Sequence, residues 1–386
     1  MTKKIIALFT TTRAEFGAFM PLIETIKKSD KLDYLLFVGG AHLLDEYGKT
    51  INEIKAQGYK ISSEFDYLEG SSSSFDLVNS MGKETRELAR IFKDFAFDLT
   101  CVAGDRYELV PIALASTLFK RPILHLYGGE ITEGVIDEQI RHMLTKVSHL
   151  HFTSCDLHTE NVKKMGEESW RVFTAGELVV DKMASVEKIP AEKLFGEFKL
   201  DPKKATLLLT YHPVTIDKKV SGELQVKNIF EALKYFDVQV IVTAPNVEVG
   251  SGEILTLIKS YVEKNSNYRF CESLGFLRYY NFLSHASCVL GNSSSGILEA
   301  PFFKIPTVNV GSRQKGRIRH ESIIDVAYLV EDIKEGLEKA LDPKFVSGLA
   351  QMKFKLGDGH AAEKMVGILE KLEINDSILH KKLIFE

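Results

Sequence analysis

The stretch CVLGNSSSGILEAPF, residues 288–302, decides the reading of the fold. Cys288, Val289 and Leu290 form a short apolar run of strand character. The Gly/Ser loop GNSSSG follows at 291–296, and beyond it the apolar spacing over 297–302 predicts a helix. A strand, a Gly/Ser loop and a helix start in this order make a place where an anion can sit. Glycine lets the backbone approach it, hydroxyls donate to it, and the first helical N–H groups point at it. A plain strand-to-helix turn with capping serines has the same composition, so the loop alone leaves both readings open. It is not a P-loop, because the lysine of G-x-x-x-x-G-K-[ST] is missing.

The same strand–loop–helix alternation extends outward in both directions. Apolar, β-branched runs predict strands at 5–10, 34–38, 99–103, 123–126, 150–153 and 172–174. In the second half they predict strands at 207–210, 238–243, 268–270, 288–290, 307–310 and 327–330. Continuous apolar runs point to parallel strands covered on both faces. Phe16, Phe19, Leu22, Ile23 and Ile26 recur at helical spacing, as do Leu88, Ile91, Phe92 and Phe95. Six strands per half predict an α/β protein of two Rossmann-like, doubly wound domains. Their expected extents are 1–180 and 181–386, the second ending in an amphipathic helix at 362–372. The break is expected within 180–204, where the strand pattern stops and Pro190 and Pro202 stand among lysines and glutamates. LEGSSSSF at 68–75 reads as a loop.

Composition narrows the function. A chain of 386 residues is comfortable for two domains. A net charge of −4 lacks the basic excess of a non-specific nucleic-acid binder. Cys101, Cys155, Cys271 and Cys288 are widely spaced, which reads as reduced, mostly buried thiols and not as a disulfide or zinc framework. The apolar run at 5–9 is too short for a secretion signal, and no stretch approaches a membrane span. A cytoplasmic location is the expectation, with neither membrane nor nucleic acid as partner.

In open parallel sheets ligands bind beyond the carboxyl ends of the strands, and the reactive side chains fall there. Arg13, Arg106 and Arg313 each follow a strand and suit a diphosphate. Lys315 and Arg319 read as a solvated loop, which Arg317 continues. His212 follows a strand and suits a general acid or a phosphate ligand. His125, inside a strand, reads as a core histidine. Asp105, Glu130, Asp137 and Glu138 supply carboxylates for proton transfer, although any one of them could equally cap a helix or pair with an arginine. No metal-ligand spacing occurs, and no G-x-G-x-x-G follows the first strand, so neither metal nor NAD is expected and no cofactor is called for.

Taken together, TTRAEFG (11–17), GDRYE (104–108), HLYGGEITEGVIDEQIRH (125–142), HPVT (212–215), PNVEVGS (245–251), GNSSSGILEAP (291–301) and GSRQKGR (311–317) resemble the UDP-N-acetylglucosamine 2-epimerase family. The likeness is to its hydrolysing branch, used in sialic and legionaminic acid synthesis. The resemblance implies a GT-B-like fold with the active site in the interdomain cleft. It implies nucleotide-diphosphate contacts by Arg13, His212, Asn246, Phe276, Ser293, Ser294, Glu299 and Arg313, with Glu299 on the ribose. It implies sugar-side or catalytic roles for Asp105, Arg106, Asp137 and Arg141, and a homodimer or higher homo-oligomer.

Two positions depart from the family pattern. Gly17 stands where members often have serine. Tyr127 stands where many have a carboxylate, in H-x-E-G-G-E. A tyrosine titrates near 10 and is a poor base at neutral pH, so Asp105, Glu130 and Asp137 are the expected proton carriers. The implied reaction removes the C2 proton as the nucleotide diphosphate leaves C1, giving a 2-acetamidoglucal to which water adds. The leading substrate is UDP-N-acetylglucosamine. A UDP- or GDP-linked 2,4-diacetamido-2,4,6-trideoxyglucose is the alternative. A GT-B glycosyltransferase, a non-hydrolysing epimerase and a non-catalytic sugar-nucleotide sensor are the rivals.

Overall fold

The computed structural model describes residues 3–45, 48–70, 73–132, 136–212, 221–245 and 251–385. The chain divides into two compact units. One runs to Ala184 and resumes at Leu356; the other is Ser185–Lys355.

The first unit holds β1 (Lys4–Thr10), β2 (Leu32–Gly39), β3 (Ser63–Phe65), β4 (Leu99–Ala103), β5 (Ile123–Leu126), β6 (Leu150–Thr153) and β7 (Val172–Thr174). They form one parallel sheet in the order 3-2-1-4-5-6-7. The chain fills one side through β3, then restarts beside β1 with β4. That reversal is the switch point where a doubly wound sheet leaves a crevice. Alternate residues of β1 feed two cores. Ile6 and Leu8 join Phe16, Phe19 and Leu22 on one face. Ala7 and Phe9 join Phe37, Phe92 and Phe97 on the other. Each such buried side chain contributes roughly 1.5–3 kcal/mol. The helix Arg13–Ile26 starts at a capping box, with Thr12 as N-cap and Glu15 reaching back.

The second unit holds β8 (Thr206–Thr210), β9 (Gln239–Thr243), β10 (Tyr268–Cys271), β11 (Cys288–Gly291), β12 (Thr307–Val310) and β13 (Ile323–Val326). All pair in parallel, in the order 10-9-8-11-12-13. Its switch point lies between β8 and β11. Two doubly wound α/β units are therefore present, as the sequence predicts. Among the described residues no helix is long and apolar enough to cross a membrane. None of the four cysteines is in a disulfide, and Cys101, Cys155 and Cys288 are buried.

The structure corrects the sequence reading in five places. Residues 356–386 belong to the first unit, not the second. The helix Ala361–Lys371 buries Ala362, Met365, Val366 and Leu369 in the core that contains Phe19 and Leu22. First-unit side chains also cap it. Asp181 accepts from the N–H groups of Ala361 and Ala362 at 2.8 and 2.7 Å, and Lys4 Nζ donates to the carbonyls of Leu369 and Leu372 at 2.6 Å. The first sheet has seven strands; β3 is short and polar, with Phe65 its only large apolar residue. The last strand is Ile323–Val326 and not 327–330. Asp325 interrupts its apolar run but is matched by Asn309 Nδ2 at 2.6 Å and Arg319 Nε at 2.9 Å. Val330 instead opens a helix, Val330–Leu341. Residues 68–75 do not stay a loop to the end, because Ser73 caps a helix that begins at Ser74. Finally, 297–302 is not one helix. Ser295–Leu298 is a single turn, and a 3₁₀ turn follows at Ala300–Phe303, where Pro301 has no N–H to continue an α-helix.

Candidate active site

In the second unit the groups singled out by sequence gather at the switch point. β8 ends at Thr210 and leads to His212; β11 ends at Gly291 and leads to Asn292, Ser293 and Ser294. Gly291 has φ of 125°, and a Cβ there would stand 2.0 Å from the Thr210 carbonyl oxygen, so only glycine lets the two strand ends approach this closely. Asn292 is fully buried and clamps His212 from both sides. Its Oδ1 accepts from the His212 N–H at 2.7 Å and its Nδ2 donates to the His212 carbonyl at 2.8 Å. The Asn292 carbonyl in turn accepts from Gln314 Nε2 at 2.9 Å and Arg313 Nη1 at 3.4 Å. The loops after β8, β11 and β12 are thus joined through one asparagine.

Burial, with the Arg313 charge beside it, pushes the His212 imidazole down to about 4. At neutral pH it is therefore uncharged, suited to hydrogen-bond an anion but not to serve as a standing acid. Ser293 and Ser294 are half-buried, and Ser295 Oγ is hydrogen-bonded to Tyr279 OH. With one helical turn behind the loop, the macrodipole contribution is small, and local N–H and O–H donors are what the loop can offer an anion. Glu299 accepts from Tyr280 OH at 3.2 Å. Phe276, in the helix Gly275–His285, is an exposed aromatic. Arg319 is bound to Asp325 and to the Gln314 carbonyl, a structural role, while Lys315 is exposed. Asn246 lies outside the described residues.

In the first unit the carboxylates collect around one cation. Arg141, in the helix Ile136–Val147, is 4% exposed in its side chain. Its guanidinium is hydrogen-bonded to Asp105 after β4, and donates to Glu130 after β5 at 3.1 Å, to Thr132 Oγ1 at 2.8 Å and to the Tyr127 carbonyl at 3.3 Å. Asp105 and Glu130 keep 24% and 26% exposure, so each offers an open edge to a ligand while its charge is neutralised from beneath. Glu130 also accepts from Ser154 Oγ, after β6, at 2.8 Å. Asp137, in the first turn of the same helix as Arg141, is half-buried and has no hydrogen-bond or ion-pair partner among the described residues. Glu138 is occupied by the Thr132 N–H at 2.7 Å.

The two other predicted arginines point elsewhere. Arg106 forms a pair with buried Glu108 at 2.6 Å, and largely exposed Arg13 reaches Glu53 at 3.4 Å. Neither joins the Arg141 cluster. His125 is a core residue as expected, its Nε2 2.8 Å from the Gly104 carbonyl oxygen and its imidazole pushed by burial to about 3.

Tyr127 has φ of 70°, a left-handed conformation that costs a non-glycine residue roughly 1–3 kcal/mol. The turn sends its ring into the apolar core, where the hydroxyl accepts from the Leu178 N–H at 3.3 Å. Burial first, then the nearby Glu177 carboxyl, pushes its ionisation well above 10. It is not an activated base. Sequence reasoning passed over Asn292, Gln314, Ser154 and Glu177. Ser154 and Glu177 follow β6 and β7, whose ends the rule that found Asp105 also covers, and Asn292 lies inside the GNSSSG loop itself. Among the described residues no group of three His, Cys, Asp or Glu side chains could hold a metal.

Paired parallel sheets with polar side chains concentrated at strand ends and switch points are the build of the GT-B-like α/β class. Within that class, the model of one family, UDP-N-acetylglucosamine 2-epimerase, matches residues 24–370, and the chain belongs to this family. It is an enzyme of the 2-epimerase type. The GDP/UDP-N,N'-diacetylbacillosamine 2-epimerase (hydrolyzing) of Campylobacter jejuni is 34% identical over 389 residues, covering 100% of both chains. The UDP-N,N'-diacetylbacillosamine 2-epimerase (hydrolyzing) of Legionella pneumophila is 31% identical over 382 residues, covering 99% of both. The UDP-GlcNAc 2-epimerase of Neisseria meningitidis, solved with UDP-GlcNAc bound, shares the fold with a TM-score of 0.76 at 17% identity, over 96% of this chain and 100% of that one.

Proposed function

We propose that the protein is a hydrolysing 2-epimerase of a nucleotide-linked 2,4-diacetamido-2,4,6-trideoxyglucose, releasing the free manno-configured sugar and the nucleoside diphosphate. End-to-end likeness to two relatives named for that substrate carries the choice of sugar. UDP-N-acetylglucosamine, the first expectation from sequence, is the second reading. The family description and the ligand of the Neisseria structure favour it.

The C2 hydrogen of such a sugar is not acidic, so the chemistry couples its removal to departure of the diphosphate. In the second unit Arg313, His212 and the Ser293–Ser294 donors meet the negative charge that grows on the leaving group. One well-placed donor is worth roughly 3 kcal/mol in comparable sites. Glu299 holds the ribose hydroxyls, and Phe276 offers a face to the base. In the first unit a carboxylate of Asp105, Asp137 or Glu130 takes the C2 proton, giving a glycal. Water then adds its oxygen to C1, and a proton arrives on the other face of C2. Arg141 orients Asp105 and Glu130, and holds the Glu130 carboxyl below its ordinary range.

The exposed apolar residues Leu114, Leu118 and Phe119 at the helix Leu109–Leu118, with Met143 on a neighbouring helix, support a homodimer. Light scattering of a Leu118→Glu variant would show a monomer. For the reaction, the protein is incubated in D2O with each candidate nucleotide sugar and followed by proton NMR. The expected product is the free 2,4-diacetamido manno sugar with deuterium at C2, together with nucleoside diphosphate. Turnover of UDP-N-acetylglucosamine alone selects the second reading, and hydrogen retained at C2 excludes both.

A further inference from the structure

The helix Gly275–His285 brings more than Phe276 to the second unit's site. Phe276, Tyr279 and Tyr280 stand at i, i+3 and i+4, so they share one face of the helix. Its two tyrosines reach the segment that begins with GNSSSG. Tyr279 OH is hydrogen-bonded to Ser295 Oγ, and Tyr280 OH donates to Glu299 Oε1 at 3.2 Å. The two bonds fix different things. Ser295 belongs to the anion loop, and its N–H donates to Ser293 Oγ at 3.4 Å. Glu299 follows the single helical turn Ser295–Leu298 and is the carboxylate assigned to the ribose.

Tyr280 is built to hold still. It is 6% exposed, and its ring lies 6.4 Å from that of Phe303, in the 3₁₀ turn that Glu299 precedes. Burial, with Glu299 beside it, pushes its ionisation far above neutral pH, so the hydroxyl keeps its proton to donate. The helix itself is pinned by the next residue. Asn281, which is buried, accepts from the Ile189 N–H at 2.7 Å and donates to the Glu187 carbonyl at 2.9 Å. Glu299, by contrast, is half-buried on a chain of three torsions, which without a partner spreads over several rotamers. A fixed donor on one oxygen selects among them. A carboxylate accepts up to about four hydrogen bonds, so one from Tyr280 orients the group and leaves acceptor capacity for a pair of hydroxyls.

We propose that Tyr280 is a positioning residue that aims the Glu299 carboxyl at the two ribose hydroxyls, and so sets the preference of this site for ribonucleotides over deoxyribonucleotides. The inference rests on the ribose role of Glu299 in the proposed function. Phe276 and Tyr280 are one turn apart on the same face, so one pinned helix serves both halves of a nucleoside: an aromatic face for the base, and a hydroxyl that sets the ribose ligand.

The test measures binding of UDP, GDP and their 2′,3′-dideoxy forms by calorimetry, and the nucleotide that binds more tightly carries the comparison. Wild type should favour the ribonucleotide roughly 100-fold. Tyr280→Phe keeps the ring and its packing and removes only the O–H. Its ratio should fall to about tenfold, because the ribonucleotide loses affinity and the dideoxy form does not. Tyr279→Phe, which removes the bond to Ser295, should keep the wild-type ratio. In Glu299→Ala there is no carboxyl to aim, so adding Tyr280→Phe should change the ratio no further. Equal losses for both nucleotides in Tyr280→Phe, or a ratio that falls alike in both tyrosine variants, would mean a helix that has merely loosened and would overturn the proposal. A further fall in the double variant overturns it too, because Tyr280 would then act without Glu299. A wild type that binds ribo and dideoxy forms alike removes the ribose role of Glu299 itself, and the proposal with it. No sugar enters the measurement, so the outcome does not depend on which sugar the enzyme accepts.

Discussion

Asn292→Asp changes one atom of the clamp at the second switch point and gives a pH-dependent result. In the wild type Oδ1 accepts from the His212 N–H and Nδ2 donates to the His212 carbonyl. Aspartate keeps the acceptor and replaces the donor with an oxygen aimed at another oxygen. Ionised, it loses one hydrogen bond and leaves a buried carbonyl unsatisfied, at a cost of about 1–3 kcal/mol. Protonated, its O–H donates to the carbonyl and the clamp is whole. The folded protein therefore favours the protonated acid and raises its pKa above the unfolded value near 3.9. The sign follows from this. The variant matches wild type below the unfolded value and loses about 1.4 kcal/mol per pH unit as pH rises toward the folded value. A folded value two units higher caps the loss at about 2.7 kcal/mol above roughly pH 6. Hydrogen exchange of peptides covering 206–212 and 288–298, compared with wild type at each pH, reads this locally. A protection loss that is equal at pH 4.5 and pH 7.5, or absent at both, refutes the clamp.

Three further outcomes test other parts of the site. Gly291→Ala should cost about 3 kcal/mol or more and abolish UDP binding, because its Cβ would stand 2.0 Å from the Thr210 carbonyl at a φ that disfavours L-residues; soluble yield and thermal melting report it, and a variant that melts within 2 °C of wild type contradicts the close approach. His212, pushed down to about 4 when free, should take up a proton as a diphosphate binds, so UDP affinity should rise as pH falls from 8 to 6 by up to about tenfold per unit. Calorimetry in buffers of different ionisation enthalpy should show that uptake reduced in His212→Asn, and equal uptake in the two proteins rules it out. Tyr127→Phe should leave kcat within about threefold and lower stability by about 1 kcal/mol through the lost Leu178 contact; a hundredfold loss of kcat would restore the tyrosine as a base.

The fold was legible because its signal is local. Apolar runs such as Ile6–Phe9 announce buried parallel strands whatever surrounds them, and eleven of the thirteen strands among the described residues read correctly from such runs. The misses share a cause. β3 and β13 are edge strands, and edge strands need fewer apolar residues, so SEF and IIDV carried too little pattern. The C-terminal helix read correctly as a helix, but its destination depends on Asp181 and Lys4, which are distant in sequence and marked by nothing local. The site divides in the same way. Asp105, Glu130 and His212 were found because they follow strands. That Asp105 pairs with Arg141, and Arg106 with Glu108, reverses the pairing suggested by adjacency in GDRYE. Adjacent side chains on an extended or turning backbone diverge, whereas residues 36 apart can meet where strand ends come together.

The proposed reaction gives the two units opposite electrostatic tasks. A leaving diphosphate needs positive character that strengthens as charge develops. On the proposed reading the second unit offers Arg313, the uncharged His212 imidazole and neutral donors, with His212 and Arg313 both bonded to buried Asn292. Proton transfer at carbon needs a base that stays ionised and an acid that stays protonated, side by side. On the proposed reading the first unit draws its proton carriers from the carboxyls that follow β4 and β5. Arg141 faces both Asp105 and Glu130, and it holds the Glu130 carboxyl below its ordinary range against the upward pull of burial. Replacing Arg141 would therefore do more than remove a cation. It would also remove the charge that holds the Glu130 carboxyl below its ordinary range, and burial would then push that group up.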